Sequence, residues 1–415
     1  MLETARVHFH RFDFKSHKYR QNPWNVFTEL REHGPLIKLK MPFVGTGWGV
    51  TTHESVSAVL KNDEQFVRNP KNAGRKSFIP FQWMLPRIFL TLAHNMMAAD
   101  GEDHRRLRSI VDKAFARRNI NDMAGQIEAL ANRQLDHLAS QATGNGQVDL
   151  MDHFMRPFPL NAICELLGLP EEDRAQFRKW FEPMATVTNV FGMFRMGRGL
   201  RNVVRYFREQ FKKVRAQPRP GLMSELVQIE AEGERLNDQE LLSMAILLLI
   251  AGHETTVHLI SNLVLTLFEN SDAKSQLLAD WSKSDAAIDE TLRYTSPLQM
   301  AKPRYVANDM SFLGQDLKRG ETMVPLLACA NYDPQRFDAP LEFRLDRERN
   351  YHLSFGSGPH TCLGMKLAKS ETHFAVKGLF ERWPNMQPAF DLNRPDWSQR
   401  PATRGLKTML VKLRT

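Results

Sequence analysis

One decapeptide near the carboxyl end of the chain reads Phe355-Gly356-Ser357-Gly358-Pro359-His360-Thr361-Cys362-Leu363-Gly364. Its glycines allow sharp turns and a close approach to a flat partner, and a helical pattern follows at once, from Met365 to about Trp383. The start of that helix would favour a thiolate at Cys362 over a thiol. A single thiolate presented in this way suits axial ligation of haem iron. A buried cysteine beside a tight turn explains the same residues, so the loop alone leaves both interpretations open.

The composition indicates a globular protein of a reducing compartment. The chain has 415 residues, of which 42% are hydrophobic, enough for a sizeable core. The cysteines Cys164, Cys329 and Cys362 are too widely spaced for a disulfide framework or a zinc motif. Residues 1–13 hold no apolar segment, so we expect no secretory signal. The longest apolar run, Met244–Ala251, is too short to span a bilayer. We therefore expect a cytoplasmic protein without a membrane span.

The net charge of +9 permits nucleic-acid binding as one interpretation. The basic residues are spread along the chain, however, and no nucleic-acid motif accompanies them. We expect no nucleic-acid partner, and a basic docking face for an acidic electron carrier is the better interpretation.

The organisation of the chain indicates one domain, residues 1–415, that is mainly α with small β-sheets (α+β). No repeat or low-complexity linker divides it. Helical periodicity dominates from about His104 to Phe268. Short strands are expected at Trp48–Thr52 beside Ile37–Leu39, and around a turn at Met310–Gln315. A last long helix and a terminal strand pair are expected after the cysteine loop.

A long central helix is predicted between Asn237 and Phe268, with a polar interruption in its middle. Asn237 and Glu240 form a capping-box pattern at its start. The interruption reads Ala251-Gly252-His253-Glu254-Thr255-Thr256. Glycine costs about 1 kcal/mol against alanine in mid-helix, and threonine hydroxyls can bond to the carbonyl four residues earlier and bend the helix. The segment is either an exposed polar stripe with a benign bend, or a groove over a ligand in which an acid and an alcohol relay protons.

Together these motifs resemble the cytochrome P450 superfamily in its soluble bacterial form. Six residues of the decapeptide fall on the haem-loop pattern F-G-x-G-x-H-x-C-x-G, and residues 251–256 resemble the oxygen-binding motif A-G-x-E-T-T. The resemblance covers nearly the whole chain. It implies the cytochrome P450 fold, a triangular prism with haem b (iron protoporphyrin IX) buried between the central long helix and the helix after the cysteine loop. The matching loop residues then bind the cofactor: Phe355, Gly356, His360, Cys362 and Gly364.

The resemblance also implies roles for individual residues. Cys362 is the proximal iron ligand, with Phe355 packed near the sulfur. Glu254 and Thr255 are the acid–alcohol pair that supplies protons during oxygen activation, and Ala251 and Gly252 leave room for O₂ and substrate. Relatives driven by hydrogen peroxide typically replace this pair, so its presence implies O₂ and two electrons as the oxidant.

Further residues match the family's anchors for the two haem carboxylates. His104 and Arg108 stand four apart on one predicted helix face, and H-x-x-x-R at this place is similar to the propionate-binding helix. A solvated basic face is the alternative, because Arg105 and Arg106 lie between them. Arg304 and His360 match the remaining anchors.

A structural ion pair is implied by Glu290-Thr291-Leu292-Arg293, which resembles the E-x-x-R pair of the family. The family usually adds a basic residue where this chain has Glu342. We expect Arg344 or Arg336 to take that place, and Glu342 could pair with Arg293.

Electron delivery is expected from NAD(P)H through a separate ferredoxin or flavodoxin, since the chain has no flavin or iron–sulfur segment. Its docking face is expected among the cations near the cysteine side: Arg105, Arg106, Lys113, Arg117, Arg118, Arg347, Arg349, Lys366 and Lys369. The segments expected over the substrate are rich in apolar residues, which favours a small to medium, mostly apolar organic substrate. They are residues 78–97, 187–196, 244–255 and 298–301. Arg195, Arg198 and Arg201 could meet a carboxylate there, although a solvated surface explains them as well.

The function implied by the resemblance is a haem-thiolate monooxygenase that inserts one oxygen atom of O₂ into a C–H bond, with O-demethylation as a variant of the same step. Two alternatives stay open. One is a haem-thiolate sensor or carrier without turnover, which has no need of Glu254 and Thr255. The other stays within enzymes: a peroxide-driven peroxygenase, or a coupling or ring-closing variant.

Overall fold

The computed structural model describes residues 10, 11, 13, 16, 19, 20, 22–41, 45–75, 95–118, 123–185, 190–229, 235–400 and 402–414, without the side chains of 10, 11, 118, 178 and 181–196. The chain divides into two compact units, each made of separate segments. The first comprises Met1–Pro80, Ala286–Cys362 and Trp397–Gly405, and the second comprises Phe81–Asp285, Leu363–Asp396 and Leu406–Thr415.

The first unit is built on a six-stranded mixed sheet of strand order β1-β2-β3-β9-β6-β4. Strands β2 and β3 pair antiparallel, with Lys38 opposite Trp48, which confirms the predicted strand pair. The strands are β1 His10–Arg11, β2 Leu36–Met41, β3 Gly45–Val50, β4 Phe66–Val67, β6 Arg304–Val306 and β9 Thr322–Pro325. A two-stranded hairpin, β7 Met310–Phe312 and β8 Gln315–Leu317, confirms the predicted turn.

Short helices cover this sheet. They are α1 Pro23–Glu32, α2 His53–Lys61, most of α11 Ser284–Thr295, and α12 Leu327–Asn331. Helix α2 begins with a capping box at Thr52, whose hydroxyl accepts from the Ser55 N–H. Buried aliphatic side chains of β3, α2 and β9 form one core cluster, which includes Val50, Val56 and Met323. The rigid support of the cysteine loop in this unit comes from that core.

The second unit is mostly helical. Its helices before the central one are α3 Gly101–Arg118, α4 Ala124–Ser140, α5 Pro157–Leu167, α6 Arg174–Ala185, α7 Val190–Ala216 and α8 Leu222–Gln228. They are followed by α9 Asp238–Glu269, α10 Ser271–Ala279 and α13 Met365–Arg382. A π-helix at Met151–Met155 leads into α5. Strands β10 Gln387–Pro388 and β11 Leu410–Lys412 form the expected terminal pair, which β5 Gln147–Asp149 extends to three strands.

Helix α9 is the predicted central helix. Asn237 caps it, and the Glu240 carboxylate accepts from the Asn237 N–H at 2.9 Å, which confirms the capping box. Its 32 residues span about 48 Å. The helix packs against α5, α7 and α13 within its unit.

By length and composition α9 could cross a membrane, although its longest uninterrupted apolar run, Met244–Ala251, is too short to do so. Of its most apolar 18-residue window, 61% is buried in the folded protein. A core helix of a large helical unit meets the same test, so its composition is accounted for by packing.

Candidate functional site

The cysteine loop is held in place by its own backbone and by helix α2. The Cys362 N–H donates to the Phe355 carbonyl at 2.8 Å, and the Thr361 N–H donates to the Gly358 carbonyl at 3.0 Å. Gly358 has φ +74°, and a Cβ there would lie 2.8 Å from both the Leu60 carbonyl oxygen and the Lys61 Cα. Both the backbone conformation and the lack of space therefore require glycine at this position.

Cys362 is the exposed cysteine of this chain, whereas Cys164 and Cys329 are buried. Burial raises the pKa of the Cys164 thiol and of the Cys329 thiol to about 12, against the smaller opposing effects of nearby arginines. Both therefore stay protonated at neutral pH. Helix α13 begins at Met365, three residues after Cys362, as predicted. Of the three sulfurs, that of Cys362 is the one placed to serve as a ligand.

The polar segment of α9 interrupts the buried middle of the helix. Residues 244–246, 248, 249 and 256–267 are buried, while Ala251 is exposed and residues 252–255 are partly exposed. The Thr255 hydroxyl donates to the Ala251 carbonyl at 2.8 Å, and the Thr256 hydroxyl donates to the Gly252 carbonyl at 3.0 Å. The expected back-bonding to the preceding turn is present.

Gly252 meets a neighbouring helix. A Cβ there would lie 3.2 Å from the Cδ1 atom of Ile163 on α5. A glycine at this position thus lets α5 approach α9 closely, a role in packing that the sequence did not suggest.

Glu254 faces a histidine that sequence analysis missed. His258 lies one turn further along α9, with its Nε2 3.7 Å from the Glu254 Oε1, beyond hydrogen-bond distance. Burial, reinforced by the charge of Arg156, lowers the pKa of His258 to about 4. The imidazole is therefore neutral at pH 7, and we treat the contact as one between a carboxylate and a neutral ring. The i, i+4 spacing was the signal in the sequence that could have revealed it.

The expected carboxylate anchors occupy different environments. His104 is buried on α3, whereas the Arg108 Nε contacts both oxygens of Asp112 at 2.9 and 3.0 Å. Arg304 is fully buried in β6 and donates to the carbonyls of Phe66 at 3.0 Å and Leu60 at 3.1 Å.

The Leu60 carbonyl thus accepts from Arg304 and also lies beneath Gly358. One backbone group at the end of α2 supports both the cysteine loop and a candidate anchor. Within the first unit the structure therefore brings Arg304 together with the loop that carries Phe355, Gly356, His360 and Cys362. The remaining candidates belong to the second unit: His104, Arg108, Ala251, Gly252, Glu254, Thr255 and Gly364.

The expected structural ion pair is present and buried, but its further basic partner was wrongly predicted. Arg293 contacts Glu290 through Nε at 2.8 Å and Nη2 at 2.7 Å, and both side chains are fully buried. The third member is Arg347, whose Nε lies 2.9 and 3.0 Å from the two Glu290 oxygens. Asn350 adds a bond to the same carboxylate at 3.0 Å.

The two arginines that we expected in this place have other partners. Arg344 donates to Glu290 through its backbone N–H at 3.0 Å, while its side chain contacts Asp346 and Asp338 near the surface. Arg336 stacks on the Tyr351 ring. Glu342 accepts from Arg293 through its backbone carbonyl at 2.9 Å, and the residue is exposed. The buried carboxylate thus receives the side chain of Arg347 and only the backbone N–H of Arg344.

Several cations expected on the basic docking face are buried or paired with acidic residues. Arg347 is a buried member of the ion-pair network, Arg106 pairs with Glu240, and Arg117 lies 3.5 Å from Glu225. Exposed cations of the predicted set are Arg105, Lys113, Arg117, Arg349 and Lys366, of which Arg117 has the acidic neighbour Glu225. The Arg118 side chain lies outside the described residues, as do residues 78–94 and the side chains of 187–196, including Arg195.

The residues present fit a haem group by the chemistry of their donors. A single exposed cysteine on a rigid glycine loop offers a sulfur ligand, and the other cysteines are withdrawn into the core. Buried Arg304 and His104 are cationic or hydrogen-bonding groups of the kind that carboxylates require. The partly exposed stripe of α9 supplies an acid and an alcohol on one helix turn.

Comparisons with known proteins agree with this arrangement. The family model "Cytochrome P450" matches residues 8–384. The polyketide biosynthesis cytochrome P450 PksS of Bacillus subtilis is 33% identical over 399 residues, covering 95% of this chain and 97% of the relative. The vitamin D(3) 25-hydroxylase of Pseudonocardia autotrophica is 32% identical over 402 residues, which cover 97% of this chain and 96% of the relative.

Solved structures show the same similarity. The bacillaene polyketide synthase cytochrome P450 PksS of B. subtilis superposes with a TM-score of 0.88 at 32% identity, covering 97% of this chain and all of that one. P450BioI, solved in complex with an acyl carrier protein ligated to hexadec-9Z-enoic acid, has a TM-score of 0.84 at 30% identity, with 96% of this chain and 100% of that chain covered.

Proposed function

The chain belongs to the cytochrome P450 family, whose members use haem and O₂, and we propose on that premise that it inserts one oxygen atom into a C–H bond of a mostly apolar organic substrate. It is an oxidoreductase of the monooxygenase type, like the hydroxylases and monooxygenases that it resembles. O-demethylation is included in the proposal as a variant of the same insertion. We also propose that residues 1–415 act as a single catalytic domain.

Cys362 is the residue we assign to hold the haem iron. The observation that carries this assignment is the loop itself, because the Phe355–Cys362 backbone bond and the Gly358 contact with α2 fix one exposed sulfur. When bound, the haem would supply the redox chemistry that activates O₂. His104, Arg108, Arg304 and His360 are assigned to the haem carboxylates, with Arg108 exchanging Asp112 for a propionate.

Glu254 and Thr255 are assigned to move protons towards the substrate side. Glu254 is partly exposed, so its carboxylate can exchange protons with solvent. The Thr255 hydroxyl donates its hydrogen to the Ala251 carbonyl, and its oxygen lone pairs can accept a hydrogen bond from the acid side. To relay a proton, the hydroxyl would leave Ala251, at a cost of about 0.5–1.5 kcal/mol, and would donate its own hydrogen onward as it receives a proton from the acid side.

Members of this family generally receive electrons from redox partners, and we propose NAD(P)H with a separate ferredoxin or flavodoxin for this chain. The exposed cations Arg105, Lys113, Arg349 and Lys366 support an acidic carrier. A cytoplasmic location is proposed with them. The free thiols of Cys164, Cys329 and Cys362 support a reducing compartment.

The substrate class is proposed from two kinds of support. Leu298, Met300 and Ala301 are partly buried apolar residues on a segment expected to line the substrate, which favours an apolar ligand. Among the relatives, P450BioI was solved on an acyl carrier protein bearing a fatty acid. We propose that this chain likewise accepts a long acyl or polyketide chain presented by an acidic carrier protein.

The assignment of Cys362 is tested by optical spectroscopy of the haem-loaded protein. Cys362→Ser is expected to change the Soret spectrum of the ferrous carbonyl form, because the sulfur ligand is lost. Cys164→Ala is the matched control, since its thiol is buried in the core and protonated. An unchanged spectrum in Cys362→Ser would contradict the proposal.

Turnover separates the proposed function from its alternatives. With a surrogate ferredoxin pair, substrate is expected to increase NADPH consumption, whereas a sensor or carrier would show no increase. Thr255→Ala is expected to keep consuming reductant but to release peroxide in place of product. If peroxide alone supports turnover as well as O₂ with reductant does, the peroxygenase alternative is correct.

A further inference from the structure

The positive charge of this protein is concentrated on one helix. The sequence of α7 holds eight basic residues and one acidic residue, Glu209, and therefore carries +7 of the chain's net charge of +9. The remaining 388 residues are nearly neutral in sum. An interaction with a polyanionic partner is therefore expected at α7 before any other element.

Six of these cations lie on one exposed face of α7, which we call the arginine face: Arg198, Arg201, Arg205, Arg208, Lys212 and Arg215. Their alternating spacing of three and four residues keeps them on one side of the helix. The opposite side buries Leu200, Val203, Val204, Phe207, Phe211 and Val214. The arginine face runs for about 26 Å along the helix axis.

Two recesses lie along the arginine face, which carries little compensating charge. One recess of about 460 Å³ is lined by Arg198, Arg201, Asn202 and Arg205. A second, of about 470 Å³, is lined by Arg208, Lys212 and Arg215 together with Phe211, Asp238, Gln239 and Leu242. Among the residues that the structure describes, Arg215 is the one of the six with an acidic partner, Asp238. Such recesses suit carboxylate or phosphate groups, which arginine binds in bidentate geometry.

Three kinds of polyanion could meet such a face, and the side chains favour a protein. A helix that lies on a membrane needs exposed apolar side chains beside its cations, but along residues 197–216, the part of α7 whose side chains are described, no large apolar residue is exposed. Single-stranded nucleic acid needs exposed aromatic rings for stacking, whereas in the same part of α7 Phe207 and Phe211 are buried and Tyr206 donates to Asp173. A straight row of cations matches an acidic helix of similar length.

We propose that the arginine face is the docking site of the acidic carrier protein that presents the substrate. The inference rests on the proposed function, which it deepens by naming the surface that the carrier uses. The carboxylates of a carrier helix would lie along Arg198–Arg215, and the phosphate of its prosthetic arm would have the arginine-lined recesses within reach. The site is distinct from the cations Arg105, Lys113, Arg349 and Lys366 that we assign to the electron carrier.

The test measures how tightly the haem-loaded full chain binds an acyl carrier protein that carries hexadec-9Z-enoic acid. Binding is measured by fluorescence anisotropy or calorimetry. The triple variant Arg198→Glu, Arg201→Glu, Arg205→Glu is expected to weaken binding at least tenfold at low salt and to flatten the salt dependence of Kd. The matched control is Lys71→Glu, Arg394→Glu, Lys407→Glu, which reverses three exposed cations elsewhere and is expected to change Kd less than threefold.

Several results would overturn the proposal. The first is that the wild-type chain does not bind the carrier protein. The second is that the two triple variants lose equal carrier affinity. The third is that the α7 variant loses binding to anionic vesicles or oligonucleotides but still binds the carrier protein. The Soret spectrum of each variant is recorded in parallel. If a variant keeps the wild-type spectrum but loses carrier binding, its effect is on the docking site alone. If the wild-type spectrum itself lacks the signature of a sulfur-ligated haem, the result counts against the proposed function.

Discussion

Arg347 is predicted to stabilise the fold far more than its neighbour Arg344. Its guanidinium contacts both oxygens of the fully buried Glu290 and donates to the carbonyls of Asp338, Ala339 and Glu342. Arg347→Ala removes one of two cations from a carboxylate that water does not reach, and it also leaves those carbonyls without this donor. Removing one partner of a buried ion pair costs about 3–5 kcal/mol.

Arg344→Ala supplies the matched comparison. The Arg344 side chain forms pairs with Asp338 and Asp346 at the surface, where solvent screens them. Its bond to Glu290 comes from the backbone N–H, which alanine keeps. The variant is therefore expected to lose much less stability than Arg347→Ala.

The measurement is urea unfolding of the two haem-loaded variants and the wild type, followed by circular dichroism, with the free energy of unfolding compared at equal slope. A loss in Arg347→Ala below about 1 kcal/mol, or an equal loss in the two variants, would refute the network as described. Such a result would instead favour Arg344 or Arg336, the partners first expected for Glu290.

Two further predictions concern the cysteine loop and the central helix. Gly358→Ala is expected to lower the unfolding free energy by about 2–4 kcal/mol, because positive φ and the contact with Leu60 both oppose a side chain. The control Gly314→Ala, at a position with φ +75° and open space, should lose only about 1–2 kcal/mol. Equal losses of the two variants in urea unfolding would disprove the steric contact at Gly358. Because burial holds the pKa of His258 at about 4 against an ordinary 6.5, the unfolded chain binds the extra proton first, and stability should fall by roughly 3 kcal/mol as the pH drops from about 6.5 to about 4. His258→Asn is expected to reduce that slope in unfolding titrations, whereas the exposed His137→Asn should leave it unchanged; a slope retained in His258→Asn would contradict the assignment.

The sequence was most informative where a local rule governs the structure. The capping box at Asn237, the hairpin of β7 and β8, and the start of α13 at Met365 were all predicted correctly. Each depends on residues within a few positions of one another, so the pattern in the sequence is the physical cause. The family was evident for the same reason, since its motifs at residues 251–256 and 355–364 are contiguous.

Contacts between distant segments could not be predicted in this way. The third partner of Glu290 lies 57 positions further along the chain, in an irregular segment whose path no periodicity specifies. Arg344 and Arg347 are three positions apart in that segment, and only the folded path of the backbone decides which of their side chains meets Glu290. His258 was missed because its neutrality is a consequence of burial, which the spacing of residues does not reveal.

The amino-acid sequence by itself therefore determined the bounds of α9 and α13, the cysteine loop and the total charge of +9. Only the tertiary structure decided which charges remain exposed. It buried Arg347 and paired Arg106 with Glu240, while it left the six cations of the arginine face exposed. The physical reason is that the cost of desolvating a charge depends on what packs around it, and that environment is assembled from segments far apart in the chain.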